Sequence, residues 1–161
     1  MRKTHLVFDC ELIGERKPVF LVRVRNKKTG ERQGFWWHKK GDMKRLLAML
    51  DDPRYTWESF NGAKFDAPII AAAVQGHDPL NLKIIANKII EEKMMPWEVY
   101  KFANIEPIEF DHIDWIEVAP GVMTSLKTYM ARMHYPTLVD MPFHHTTDLT
   151  PKQLPIVESY C

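Results

Sequence analysis

The sequence predicts one α/β domain with a mixed sheet, on three observations. Residues 20–25, Phe-Leu-Val-Arg-Val-Arg, alternate in period two, placing Phe20, Val22 and Val24 on one face of a strand and the arginines on the other. After residue 40 the apolar spacing becomes helical, first at Leu46, Leu47 and Leu50, then at Ile84-Ile85 and Ile89-Ile90. Two short strand-like runs, at 55–60 and 108–115, interrupt those helices. Strands first, then helices alternating with further strands, is the pattern of a layered α/β domain. The 161 residues contain no repeat, no low-complexity stretch and no linker long enough to divide them, so a single domain over 1–161 is expected.

Each element follows in order. Leu6 to Cys10 is an apolar run of strand length, and Phe20 to Arg25 is the second strand. Asn26-Lys27-Lys28-Thr29-Gly30 has turn composition, and Gln33 to Trp37 reads as the returning strand, so the first third is three antiparallel strands. Asp42 is placed to cap a helix through Leu50. Tyr55 to Phe60 is a fourth strand, ended by Asn61-Gly62. A helix is expected near Asp66, because Pro68 suits a first turn and Ile69 to Val74 is apolar. Asn81 to Lys93 is helical by spacing, Pro96 opens a short helix or irregular segment, and Ile108 to Trp115 is the candidate fifth strand. Pro120-Gly121 breaks the chain, Ser125 caps a helix through Met133, and Tyr135 to Thr150 reads as loop. Thr150-Pro151 opens a last helix, still running at Val157-Glu158-Ser159-Tyr160.

Composition narrows the classes. The longest apolar stretch, Ala67 to Val74, is too short to span a bilayer. Asp9 and Glu11 interrupt the apolar run at the N-terminus, unlike a signal peptide. Cys10 and Cys161 make neither a disulfide framework nor a zinc spacing, which fits a reducing cytoplasm. The net charge of +1 hides an asymmetry: residues 1–45 carry 13 Lys or Arg against 5 acids, and the remainder is net acidic. A basic surface of that kind attracts a polyanion, while acids elsewhere hold cations; a solvated strand surface is the plain alternative.

Asp9-Cys10-Glu11 stands at the end of the first strand. Alternation sends Asp9 and Glu11 to one face and Cys10 to the other, where it is a small core residue. Two carboxylates side by side repel unless a cation lies between them, and hard oxygen donors suit Mg²⁺ or Mn²⁺ rather than zinc. Taken alone the pair is equally a solvated strand end, and Asp66 alone is equally a helix-cap residue.

Together the two segments carry more. Phe8-Asp9-Cys10-Glu11-Leu12-Ile13-Gly14 and Phe60-Asn61-Gly62-Ala63-Lys64-Phe65-Asp66 resemble the first two motifs of the DEDD 3′–5′ exonucleases, proofreading nucleases of the ribonuclease H-like fold. The first motif of that family is a strand running into Asp-x-Glu, usually followed by Thr-x-Gly. The second is an apolar residue, Asn-Gly, two variable residues, an aromatic and Asp. The element order agrees, and His112-Ile113-Asp114-Trp115 followed by Ser125-Leu126-Lys127 looks like the fifth strand and next helix of the phage members. The resemblance implies a five-stranded sheet, three strands antiparallel and then parallel ones. It also implies a two-metal site, with Asp9 and Glu11 holding one Mg²⁺ or Mn²⁺, Asp9 sharing a second, and Asp66 completing the set. Leu12, Ile13, Asn61 and Phe65 would lie around the terminal nucleotide of a single-stranded DNA 3′ end. A phage source, a role in replication or proofreading, and a DNA polymerase as partner are implied in the same way.

Two departures accompany it. Leu12 replaces the usual threonine. The third motif needs an Asp on the last helix, four residues after a Tyr or five after a His, and no internal pair fits. Tyr160 stands where that motif should begin and its Asp would fall at position 164, so the chain is expected to be a piece of a longer nuclease, or a natural chain that has lost the site. A non-catalytic module that binds nucleic acid or a polymerase through its basic hairpin is the alternative function. Asp111 and Asp114 are read as strand-end acids capping the next turn, His144-His145 as surface loop, and one of Trp36 and Trp37 as an exposed patch able to stack on bases.

Overall fold

A computed structural model of the chain describes residues 3–118, 124–134, 136 and 139–160. Its centre is a five-stranded sheet in the order β3-β2-β1-β4-β5. β1 (Thr4–Ile13), β2 (Val19–Asn26) and β3 (Arg32–Trp36) form an antiparallel meander. β4 (Tyr55–Ser59) lies parallel to β1, and β5 (His112–Asp114) parallel to β4. Parallel neighbours need crossovers. The first is α1 (Asp42–Leu50); the second comprises α2 (Asp66–Val74), α3 (Pro79–Ile90) and α4 (Pro96–Ala103). α5 (Trp115–Val118), α6 (Leu126–Arg132) and α7 (Leu154–Tyr160) follow the last strand. This is the mixed α/β sheet the periodicity predicts.

The main core lies on one face. Leu6, Phe8 and Cys10 of β1, with Val22, Val24 and Trp57, pack against Leu46, Leu50, Ile69, Ile70, Leu82 and Ile85 of the helices. Residues 68–73 of α2 are all buried, so its apolar character runs round the helix instead of forming a stripe. On the opposite face a smaller cluster joins Ile13, Leu21 and Trp36 to Val157 of α7. Elsewhere on that face His5, Val7, Asp9 and Arg25 are exposed, whereas Thr56 and Glu58 of β4 are buried.

Several boundaries differ from the periodicity reading. β1 continues to Ile13 because β2 pairs with it as far as Val19. α3 begins at Pro79, where the Asp78 carboxylate accepts from the Asn81 N–H. Asp42 is not the cap of α1; Gly41 holds that position, and Asp42 accepts from the Trp36 N–H and Arg45 instead. β5 is only three residues long, since Trp115 already turns into α5. α7 starts at Leu154, three residues after Pro151. Ser125 caps α6 as its sequence predicts, accepting from the Thr128 N–H. The break at Pro120-Gly121 and Tyr135 at the head of the loop lie outside the described residues.

Candidate active site

The site assembles where β1, the turn after β4 and the start of α2 meet. Asp9 and Glu11 share one face of β1, opposite Arg23 and Leu21 of β2, while the Cys10 side chain enters the core between them. Asp66, the first residue of α2, comes in from the core side. Its Oδ1 accepts from the Cys10 N–H at 3.1 Å and from the Cys10 thiol at 2.8 Å.

The turn leading to Asp66 is built for close approach. Asn61 takes a left-handed backbone, φ 63°, a conformation asparagine tolerates better than most residues. At Gly62 a Cβ would stand 2.2 Å from the Ser59 Oγ, so glycine is required there. Asp114, buried at the end of β5, anchors the turn by accepting from the Asn61 and Ala63 N–H groups at 2.7 and 2.9 Å. It also accepts from the Ile116 N–H, the capping role its position predicts. Asp111 does not cap; it accepts from the Thr56 hydroxyl and Lys3 across the strand ends. The Asn61 Oδ1 is buried and finds no donor among the described residues.

The carboxylates act on one another. Asp9 keeps solvent contact, yet the protein packed around it pushes its carboxyl well above the usual range, and the charges of Asp66 and Glu11 push it further. Burial pushes Asp66 up to about 6, against the two Cys10 hydrogen bonds that favour its charged form; Asp114 adds to the rise. Burial and the same three acids hold the Cys10 thiol well up, so it stays protonated as a donor.

Compared with family models, curated proteins and solved structures, the chain matches none.

Beside the acids lies a cleft of about 470 Å³, lined by Glu11, Leu12 and Ile13 on one side and by Lys127, Asp140 and Tyr160 on the other. The structure thus brings Tyr160 to the same opening as Glu11. The Tyr160 hydroxyl donates to the Val139 carbonyl at 3.5 Å, and Lys127 pairs with Asp140. His144 and His145 lie exposed on the same rim, their rings 4.1 Å apart. Phe65 is half-buried and packs on the main core, as does Leu12. Trp37 is no stacking patch: it packs on the main core and its Nε1 donates to the His77 carbonyl. Trp36 is buried under α7.

Among the described residues no three His, Cys, Asp or Glu side chains are gathered as a metal-binding set, and Asp66 Oδ1 is directed at Cys10. The donors nevertheless suit a hard cation by type and charge. Asp9 and Glu11 project from one strand face, Asp66 bears electrostatically on Asp9, and their mutual repulsion is what a divalent cation relieves. Sequence reasoning missed a second polar group, Glu58 with His5, Lys27 and the Trp115 indole N–H, because a glutamate inside a strand carries no motif. The alternation that puts Glu58 on the face opposite Trp57 was the available signal.

Proposed function

We propose that this chain is a 3′–5′ exonuclease domain that hydrolyses phosphodiester bonds at DNA 3′ ends and releases nucleoside 5′-monophosphates, with a role in phage replication or proofreading. The observation that supports the reading is the placement of Asp9 and Glu11 on one face of β1, with Asp66 of α2 hydrogen-bonded to Cys10 between them. Asp9 and Glu11 would hold one Mg²⁺ or Mn²⁺, Asp9 would share a second, and Asp66 would complete the site directly or through a water. Such a pair supplies a nucleophile at neutral pH and compensates charge on the departing 3′ oxygen.

The chain's own residues account for the remainder. Leu12 and Ile13 line the cleft beside Glu11 and would take the terminal nucleotide, with Asn61 and Phe65 on the adjoining turn. Tyr160, across the cleft from Glu11, would orient the attacking water. A binding module without catalysis, attached to a polymerase or to nucleic acid, is the second reading; the occupied Asp66 Oδ1 favours it.

The test is degradation of 5′-labelled single-stranded DNA with Mg²⁺ or Mn²⁺, using wild type and Asp9→Ala, in this chain and in one extended past residue 161. A 3′–5′ ladder that Asp9→Ala abolishes supports the nuclease. Salt-sensitive binding with no ladder in either length overturns it in favour of the module.

A further inference from the structure

Glu58 is 1% exposed, although His5 and Val7 of the neighbouring strand are exposed on the same sheet face. A carboxylate is costly to bury and contributes little net stability when paired, so its placement needs another reason. Its two oxygens receive three side chains: His5 Nδ1 at 2.6 Å, Lys27 Nζ at 2.9 Å and Trp115 Nε1 at 2.8 Å. Those hydrogen bonds hold its carboxyl below the usual range against the burial that opposes them. All three partners remain exposed at their outer sides, Trp115 by 45%. His5 Nε2 has no partner among the described residues, and Lys27 Nζ lies 5.6 Å from the centre of the Trp115 ring. Glu58 thus fixes an imidazole, an ammonium and an indole around a pocket of about 590 Å³, whose rim adds Lys3 and Lys28.

Further cations stand beside the pocket on the same sheet face. Register places Arg25 opposite Val7, and Val7 opposite Glu58, with Arg32 beyond Arg25 on the same face. Arg25, Arg32 and Lys28 are exposed and form no ion pair among the described residues. His5 and Asp9 are four residues apart on one side of β1, about 13 Å at strand rise. Cations therefore flank a rigid aromatic ring and extend across the sheet through Arg25 and Arg32, on the same face as Asp9.

We propose that this pocket is a second subsite for single-stranded nucleic acid, where a base stacks on Trp115 and the flanking phosphates lie against His5, Lys27, Lys28 and Arg25. Stacking on an aromatic side chain within a basic groove binds a strand without reading its sequence. The proposal rests on nucleic acid being the ligand, as the proposed function has it, and does not need hydrolysis.

The experiment is fluorescence anisotropy of a labelled oligo-dT of about a dozen residues with the full chain in EDTA, so that binding is read without turnover. Trp115→Ala is expected to weaken binding about tenfold and Trp115→Phe by far less, since phenylalanine keeps a stacking face but loses the bond to Glu58. Lys28→Gln, a surface change, is expected to lower the slope of log affinity against log salt by about 0.7. Equal losses for the Ala and Phe variants would make Trp115 a support for Glu58 and overturn the proposal. So would an unchanged slope for Lys28→Gln, displacement by polyglutamate at the concentration of competing oligonucleotide, or dTMP binding as tightly as the strand. Hydrolysis of DNA with binding unmoved by these variants sinks the subsite and leaves the nuclease standing; variant-sensitive binding without hydrolysis does the reverse.

Discussion

The Cys10 thiol and Asp66 Oδ1 are 2.8 Å apart, joining two segments 56 positions distant in sequence. The Cys10 N–H reaches the same oxygen, so one carboxylate oxygen fastens the start of α2 to the strand that carries Asp9 and Glu11. The relative placement of the three acids therefore depends on a residue that is itself no candidate ligand.

Asp66 makes stability depend on pH. Its carboxyl sits at about 6 in the fold against 3.8 in a free chain, so the fold binds its proton more tightly than the unfolded state does. That contribution is fully present below about pH 4 and is lost as pH rises through about 6. Asp66→Asn, which carries no charge at any pH, is expected to gain roughly 1–3 kcal/mol on wild type between about pH 4 and pH 7.5. Urea midpoints across that range measure it, and a wild-type-minus-variant difference independent of pH would contradict it.

Asp114 is expected to matter more than an ordinary strand-end acid. Its carboxylate takes the N–H groups of Asn61, Ala63 and Ile116, and alanine would leave them without that acceptor. Asp114→Ala should cost about 2–4 kcal/mol in chemical denaturation, and Asp114→Asn clearly less. Equal costs for the two would mean the charge and its geometry are irrelevant to the turn.

Gly62→Ala tests the close approach directly. The new Cβ would meet the Ser59 Oγ at 2.2 Å and its Cβ at 2.6 Å, so a loss of about 1–3 kcal/mol is expected. Adding Ser59→Ala should recover only part of it, because the Cβ remains. Full recovery would locate the conflict in the hydroxyl alone.

Glu158 holds α7 to the sheet. It accepts from Arg23 at 2.8 Å and from the Trp36 indole at 3.0 Å, and Arg23 is largely buried. Glu158→Ala strands that guanidinium, and a loss of about 3 kcal/mol is expected in urea titration. Arg23→Met with Glu158→Ala should regain much of it, which a purely local role of Glu158 for Trp36 does not predict.

The sequence was informative where one interaction dominates. Alternation at Phe20–Arg25 gave β2 its faces, and the Ser125 cap placed α6, because period and capping are local. Asp42 misled for a non-local reason: the N–H it serves belongs to Trp36 in the preceding strand. The ends of β5 escaped because Ile108 and Phe110 are apolar and pack on the core without joining the sheet. The acids at 9, 11 and 66 were legible as candidates through motif spacing, whereas the hydrogen bonds tying Asp66 to Cys10 depend on how α2 docks. Glu58 was silent, since its partners lie 53, 31 and 57 positions away.

The ion pair between Arg23 and Glu158 spans 135 positions, and Asp148 likewise accepts from the N–H groups at 15, 16 and 17. A chain emerging from a ribosome makes the first meander long before the segments that cover its second face. Until then Leu21 and Trp36 have no apolar cover from Val157 or Leu154. Closing so large a loop is entropically costly and slow relative to local pairing. A chain cut short before Leu154 would therefore leave the apolar patch of Leu21 and Trp36 bare beside the guanidinium of Arg23.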